Sequence, residues 1–367
     1  MEYSDGKLTP LDEVYLQRAY ELAARGIGST SPNPPVGAVI VRENRIVGEG
    51  YHHRAGEAHA ETLALEQAGH AARGATLYVS LEPCGHVGAT PPCAGALVEA
   101  GIARVVAGAL DPAQHGGAGD LRRQGVDVVV ANDDAARALI EVFERAASLA
   151  RPYLAVKMAM SLDGAIAPRP GVAEWLSGEQ SRAFVRSLRI AYDAVMVGAG
   201  TVAVDDPQLT VRPPRDRLRP YVRVVVCERE GLTSRSRVFA GEAGYARTIV
   251  LAPGGVIETL SELREVAEVV AVGAPDSRRL DLAQALEALR AKGIFSVVCE
   301  GGPTLAGRLI AARQADRFYW LIAPLLLHGE TSVPVLAGAE LQGRRLRFDR
   351  TERIGDDLLV SGVFANV

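Results

Sequence analysis

His59 and Glu61 stand two residues apart in "HAE", and Cys84 and Cys93 bracket the stretch "GHVGATPP" further along. One imidazole and two thiols are donor types that zinc prefers. Three such ligands leave the fourth tetrahedral position to water, as in a catalytic site and unlike a closed structural one. Zinc lowers the pKa of that water to about 7. Glu61, beside the ligands but not one of them, would take the water's proton and hand it to a departing amine. Taken singly, His59 is most simply a helix-start residue and each cysteine a small hydrophobe. Which reading holds for the set depends on the elements that carry it.

Residues 11–25, "LDEVYLQRAYELAAR", place apolar side chains three and four apart and stop at Gly26, which predicts a helix with a glycine at its end. The runs "VGAVIV" (36–41), "ATLYVSL" (75–81), "RVVAGAL" (104–110) and "VDVVV" (126–130) are short, apolar and rich in β-branched residues, and read as buried strands. Helices are expected at 59–71 and 92–101. Strands alternating with helices predict a three-layer α/β/α domain. His59 and Glu61 then open one helix, Cys84 follows a strand through "EPC", and Cys93 opens the next helix after "TPP". Two helix N-termini would converge there, and their positive ends favour thiolate.

A helical run from Asp133 to about residue 150 ends at Pro152, so the boundary is expected near residue 151, giving domains 1–150 and 151–367. Strands are expected at 193–198, 222–227, 248–252, 295–302 and 317–324, with a closing antiparallel pair over the last ~25 residues. "GAGT" (198–201) follows a strand and "EGGPTLAG" (300–307) joins a strand to a helix. Glycines there would bring backbone N–H groups and a helix N-terminus against an anion such as a nucleotide phosphate. "RPPRDRLRP" (212–220) reads as an exposed loop, and Cys227 and Cys299 as core residues.

Composition narrows the classes. Hydrophobic residues make up 48% and charged residues 23% of 367, as in a folded globular protein large enough for two cores. A net charge of −4 gives no footprint for nucleic acid. No run approaches the ~18 apolar residues of a membrane span, and the first ten residues lack the form of a signal peptide, so a cytoplasmic enzyme is expected. Four cysteines are too few for a disulfide scaffold.

The general zinc-deaminase signature is H-x-E…P-C-x-x-C, here with eight residues between the cysteines. With "TSPNPPVGAVIV", "GYHHRAGEAHAE", "EPCGHVGATPPC", "KMAMSLDGAIA", "TVAVDDPQLTVR" and "EGGPTLAG", the chain resembles the bifunctional riboflavin-biosynthesis deaminase–reductases over nearly its whole length. The resemblance implies an N-terminal cytidine-deaminase-like domain that hydrolytically deaminates a phosphoribosylaminopyrimidine. It also implies a C-terminal dihydrofolate-reductase-like domain that reduces the ribosyl to a ribityl chain with NADPH. By matched position, zinc would be held by His59, Cys84 and Cys93, with Glu61 catalytic and Asn33 and His52 at the pyrimidine. Ala159, Trp175, Thr201, Asp205, Gly302, Pro303, Thr304, Leu305, Ala306, Gly307 and Arg308 would lie along NADPH. Arg189, Leu209, Arg212 and Glu300 would face the reductase substrate. Arg308 or arginines within 215–219 are candidates for the coenzyme's 2′-phosphate, their other reading being a solvated surface. Lys157 and Asp163 share the motif region without an assigned role. A homo-oligomer acting on a small molecule, with no nucleic acid or membrane partner, is expected.

The chain departs from the family pattern at Ala89, Ala113, Ala165 and Ala173, where charged or polar residues are usual. Losing one charged phosphate contact costs roughly 1.5–3 kcal/mol of binding, unless Arg54 or His86 substitutes. A relative with an altered substrate or one active domain is therefore an alternative, as are a nucleic-acid or nucleoside deaminase and a protein with structural zinc, for which His86 would be the fourth ligand to watch.

Overall fold

The computed structural model describes residues 8–85, 92–112, 116–172, 174–211, 220–229, 231–241, 245–341 and 343–365. Expectations for His86, Ala89, Ala113, Ala173, Arg212 and residues 215–219 fall outside these. The chain divides into two compact units, Met1–Ser148 and Leu149–Val367.

The first unit runs α1 (Pro10–Gly26), β1 (Gly37–Arg42), β2 (Arg45–Tyr51), α2 (Ala60–Ala68), β3 (Thr76–Leu81), α3 (Cys93–Ala100), β4 (Arg104–Ala109), α4 (Ala118–Arg123), β5 (Asp127–Val130) and α5 (Asp134–Ala147). Its sheet has the order β2-β1-β3-β4-β5, with β1 antiparallel to both neighbours and β3, β4 and β5 parallel. Side chains alternate across this sheet. Ile40 and Leu77 pack with Ala64, Leu97 and Leu121 of the α2, α3 and α4 side, whereas Val39 and Tyr78 pack with Leu16, Ala19 and Ile140 of the α1 and α5 side. Three layers result. Leu97 and Leu121 are fully enclosed, each burial stabilising the fold by roughly 1.5–3 kcal/mol.

α1 begins with a capping box: Thr9 Oγ1 accepts the Asp12 N–H at 3.2 Å, and the Asp12 carboxylate accepts the Thr9 N–H at 2.9 Å. The same carboxylate accepts from Tyr78 of β3 at 2.8 Å and Arg104 of β4 at 2.7 Å. One acid thus joins a helix start to two strands.

β2 is absent from the strands expected from sequence, because "RIVGEGY" is interrupted by glycines that ordinarily weaken a strand. Here they permit close packing. A Cβ on Gly50 would lie 2.4 Å from the Ala60 carbonyl and one on Gly48 would lie 2.1 Å from that of Ala64, so β2 lies directly on α2.

The second unit contains β6 (Tyr153–Ser161), β7 (Ala165–Ala167), α6 (Glu179–Ala191), β8 (Ala194–Gly198), α7 (Ala199–Asp205), β9 (Val222–Val226), β10 (Thr248–Pro253), β11 (Ala267–Val272), α8 (Leu282–Ala291), β12 (Ser296–Cys299), α9 (Pro303–Ala311), β13 (Arg317–Ala323), β14 (Val333–Pro334), β15 (Leu346–Ile354) and β16 (Asp357–Phe364). The large sheet has the order β11-β10-β9-β8-β12-β6-β13-β16-β15. It is parallel from β11 to β13, with β16 and β15 added antiparallel. Strand order reverses around β8 and β12, and crevices outside strand ends at such switch points take ligands. Leu286, Leu289, Leu305 and Leu309 of α8 and α9 pack on one face. Val185 of α6 packs with Leu321 and Leu359 in a separate cluster.

Candidate active sites

In the first unit, β3 leads through Glu82 and Pro83 to Cys84, and Cys84 organises the next helix. Its Sγ accepts the Cys93 N–H at 3.3 Å and its carbonyl accepts the Ala94 N–H at 3.1 Å. These are N–H groups that a helix start otherwise leaves open, and the cap residue Pro92 makes no side-chain cap bond. His59 is the cap residue of α2. Its Nδ1 lies 3.2 Å from Cys93 Sγ and 3.6 Å from Cys84 Sγ. The three ligand atoms fall within 4.8 Å of one another. One imidazole and two sulfurs that close fit a zinc ion.

The protonation pattern agrees. The Cys93 thiol beside it, then His59 and the Cys93 N–H, hold the Cys84 thiol down at about 4 against the effect of burial. Cys93 is pushed up, first by Cys84 and then by burial. A dication held between these sulfurs favours two thiolates. Glu61, in the first turn of α2, is 3% exposed, and burial raises its carboxyl to about 6 against the effects of its own N–H and His59. A carboxyl in that range is suited to accept and return a proton near neutrality.

His52 and Asn33 belong to the same place. The His52 ring centroid lies 5.5 Å from that of His59. His52 Nδ1 lies 3.1 Å from the Ala58 carbonyl, and its Nε2 lies 3.2 Å from Asn33 Nδ2. Burial lowers the His52 pKa, so a neutral ring that donates from Nδ1 and accepts at Nε2 satisfies both contacts. The Asn33 amide is thereby oriented, its oxygen facing away from His52. Arg54 is tied to Glu57 at 2.6 Å.

Sequence reasoning passed over Glu82. Its Oε1 accepts the Ala118 N–H at 2.9 Å and its Oε2 the Asp111 N–H at 3.1 Å, so it holds the loops around Cys84. The only signal was its place in "EPC".

In the second unit, the Gly198 N–H donates to the Gly301 carbonyl at 3.2 Å, and Thr201 Oγ1 accepts the Gly302 N–H at 2.9 Å. The two glycine segments thus meet at the ends of β8 and β12. α9 starts at Pro303 after Gly302 with no side-chain cap bond, and a Cβ on Gly200 would meet nothing within 4 Å. The open space beside Gly200 and the start of α9 without a side-chain cap are features that a dinucleotide phosphate can use. Gly302, Pro303 and Thr304 lie at that helix start, whereas Leu305, Ala306 and Gly307 are buried. A Cβ on Gly307 would lie 2.2 Å from the Ala337 carbonyl. Ala159 is half-buried in β6 and Asp205 exposed at the end of α7. Trp175 is 83% exposed, with the Arg182 guanidinium 5.2 Å from its ring.

Arg189 and Glu300 form an ion pair, Nη2 to Oε2 at 2.8 Å, and Arg189 also donates to the Thr210 carbonyl at 2.8 Å. Leu209 beside it is buried, with φ of 53°. Lys157 is half-buried; burial lowers its pKa, against the effect of Glu300, in company with Arg189. Its neighbours were invisible along the chain. Ala165 is buried in β7 and brings no charge to this region. Arg308 pairs with Glu228 at 2.6 Å.

A buried carboxyl beside a His/Cys/Cys triad at two helix starts defines a zinc-type deaminase, joined in one chain to an open α/β unit whose two glycine segments meet at the strand ends. Residues 9–109 match the cytidine and deoxycytidylate deaminase zinc-binding region, and residues 152–360 match the RibD C-terminal domain. The chain is 38% identical to the riboflavin biosynthesis protein RibD of Escherichia coli, covering 95% of this chain and 98% of that protein. It is 37% identical to that of Aquifex aeolicus, over 95% and 98%. A solved diaminohydroxyphosphoribosylaminopyrimidine deaminase/5-amino-6-(5-phosphoribosylamino)uracil reductase from Thermotoga maritima superposes with a TM-score of 0.82 at 34% identity, over 97% of this chain and 99% of that one. The chain belongs to the RibD family, the bifunctional deaminase–reductases of riboflavin biosynthesis. Among the described residues, no helix is long and apolar enough to cross a membrane.

Proposed function

We propose that the first unit deaminates 2,5-diamino-6-(5-phosphoribosylamino)pyrimidin-4-one and that the second reduces the deaminated product. The observation that carries the reading is the convergence of His59, Cys84 and Cys93 beside Glu61, in a chain that matches RibD proteins almost end to end. Zinc held by those three residues would supply a water with a pKa of about 7. Glu61 takes a proton from the water as its oxygen adds to the amine-bearing carbon, and returns it to the nitrogen that leaves as ammonia. Asn33 and His52 orient the pyrimidine through the fixed amide.

In the second unit the sugar's C1′–O bond breaks, C1′ receives a hydride and the ring oxygen takes up a proton. NADPH, when bound at the α9 start Gly302–Thr304 and beside Thr201, Asp205, Ala159 and Trp175, would supply the hydride. Lys157, with its lowered pKa, donates the proton. Arg189, Glu300 and Leu209, with Arg212, hold the phosphoribosyl part. A homo-oligomeric, cytoplasmic enzyme belongs to the same proposal. Incubating the zinc-loaded protein with the pyrimidine and NADPH tests the reading: ammonia release followed by coenzyme oxidation is expected, and release of neither ammonia nor oxidised coenzyme would overturn it.

A further inference from the structure

Arg308, in the second turn of α9, has its guanidinium engaged inside the protein. It donates to Glu228 Oε2 at 2.6 Å and to the Leu280 carbonyl at 3.0 Å, while Glu228 Oε1 accepts the Leu280 N–H at 2.6 Å. The side chains of Arg308 and Glu228 remain 11% and 25% exposed, so a ligand can reach the pair. Glu228 lies two residues beyond Val226, the end of β9, and Val226 is in register with Gly198 of β8. It therefore stands at the same end of the sheet as the two glycine segments, on the strand next to β8.

In Rossmann-type dinucleotide sites, an acid beside the phosphate loop takes the 2′-hydroxyl of the adenosine ribose, whereas a nearby arginine takes a 2′-phosphate, and the same chemistry applies at an acid and an arginine placed alike here. Here the acid is present and the arginine is neutralised by it. A 2′-phosphate brings about 1.5 to 2 negative charges. To meet it, Arg308 would have to leave Glu228, with both anions then facing each other. A 2′-hydroxyl can donate to the carboxylate with the pair intact.

We propose that Glu228 sets the coenzyme choice of the reductase unit, and that through it the enzyme takes NADH as well as NADPH. The inference rests on the reductase reading above. It also deepens that reading, because it assigns Arg308 to an internal ion pair and leaves the ribose edge open to both coenzymes.

The test is calorimetric titration of the full-length protein with NAD⁺ and NADP⁺, which reads binding without turnover. The wild-type protein should bind the two with dissociation constants within about tenfold of each other. Glu228→Gln retains an acceptor for the Leu280 N–H but frees Arg308, and should tighten NADP⁺ by about tenfold or more, the scale of one charge-assisted contact, with NAD⁺ unimproved. Glu228→Ser should do the same. Adding Arg308→Met to Glu228→Gln should remove the gain. A wild-type preference for NADP⁺ of about a hundredfold, supplied by exposed Arg229 or by arginines 215–219, would overturn the proposal. So would an unchanged ratio in both Glu228 variants. Binding of neither coenzyme to any variant would instead overturn the reductase reading itself.

Discussion

Glu82 occupies the space that a side chain on Gly116 would need: a Cβ there would lie 2.0 Å from the Glu82 carboxyl carbon. Gly116 also forms an isolated β-bridge with Cys84, and the Gly117 N–H donates to the Pro83 carbonyl at 2.7 Å. One acid, one glycine and one metal-ligand loop are therefore packed as a unit. Gly116→Ala must displace Glu82 or the loop. It should weaken zinc binding by about 10–100-fold, as changes to the groups that support metal ligands do. Competition with a chelator measures this, and unaltered zinc retention would show that the loop tolerates the side chain.

The Arg189–Glu300 pair makes a second expectation. Arg189→Met leaves the 7%-exposed Glu300 side chain with Lys157 as its remaining cationic neighbour. Removing one partner of a buried pair costs about 3–5 kcal/mol. Urea unfolding should show most of that loss in Arg189→Met and partial recovery when Glu300→Gln is added. Both variants should lose coenzyme oxidation while ammonia release persists. Equal stability of the single and double variants would mean that Glu300 left unpaired carries no buried-charge penalty, against this account.

Asp12 gives a pH expectation. Burial alone would raise its carboxyl, but the bonds from Arg104, Thr9 and Tyr78 hold it well below the ordinary range. The unfolded value is about 3.9, so the stabilisation is complete above it and is lost as pH falls towards the folded value. The stability difference between the protein and Asp12→Asn should thus be constant from pH 7 to about pH 5 and shrink at lower pH. A difference that grows on acidification would reverse the sign of the assignment.

Much of the first site was legible because its chemistry is concentrated in short, turn-bounded segments. His59, Glu61 and Cys93 are distinctive residue types at helix starts, Cys84 follows β3 through a rigid turn, and apolar periodicity located α1, β1, β3 and β4 to within a residue or two. The glycine segments were legible as backbone, since Gly198–Thr201 and Glu300–Gly307 each follow an apolar run. Contacts between residues far apart in sequence were not. Nothing local announces that Arg308 meets Glu228, that Arg189 meets Glu300, or that Glu82 packs on Gly116, because these pairings depend on which strands become neighbours. β2 was missed for a related reason: its glycines look unfavourable until α2 is seen lying against them.

The most direct test of two separate chemistries on one chain is Glu61→Gln, assayed for zinc content, for ammonia release from the diaminopyrimidine, and for coenzyme oxidation with the already deaminated pyrimidine. Only the proton carrier changes, so zinc should be retained and ammonia release should fall by about 10²–10⁴-fold, while coenzyme oxidation continues at the wild-type rate. Near-normal ammonia release from a zinc-replete Glu61→Gln protein, or loss of coenzyme oxidation with the deaminated substrate, would contradict the account.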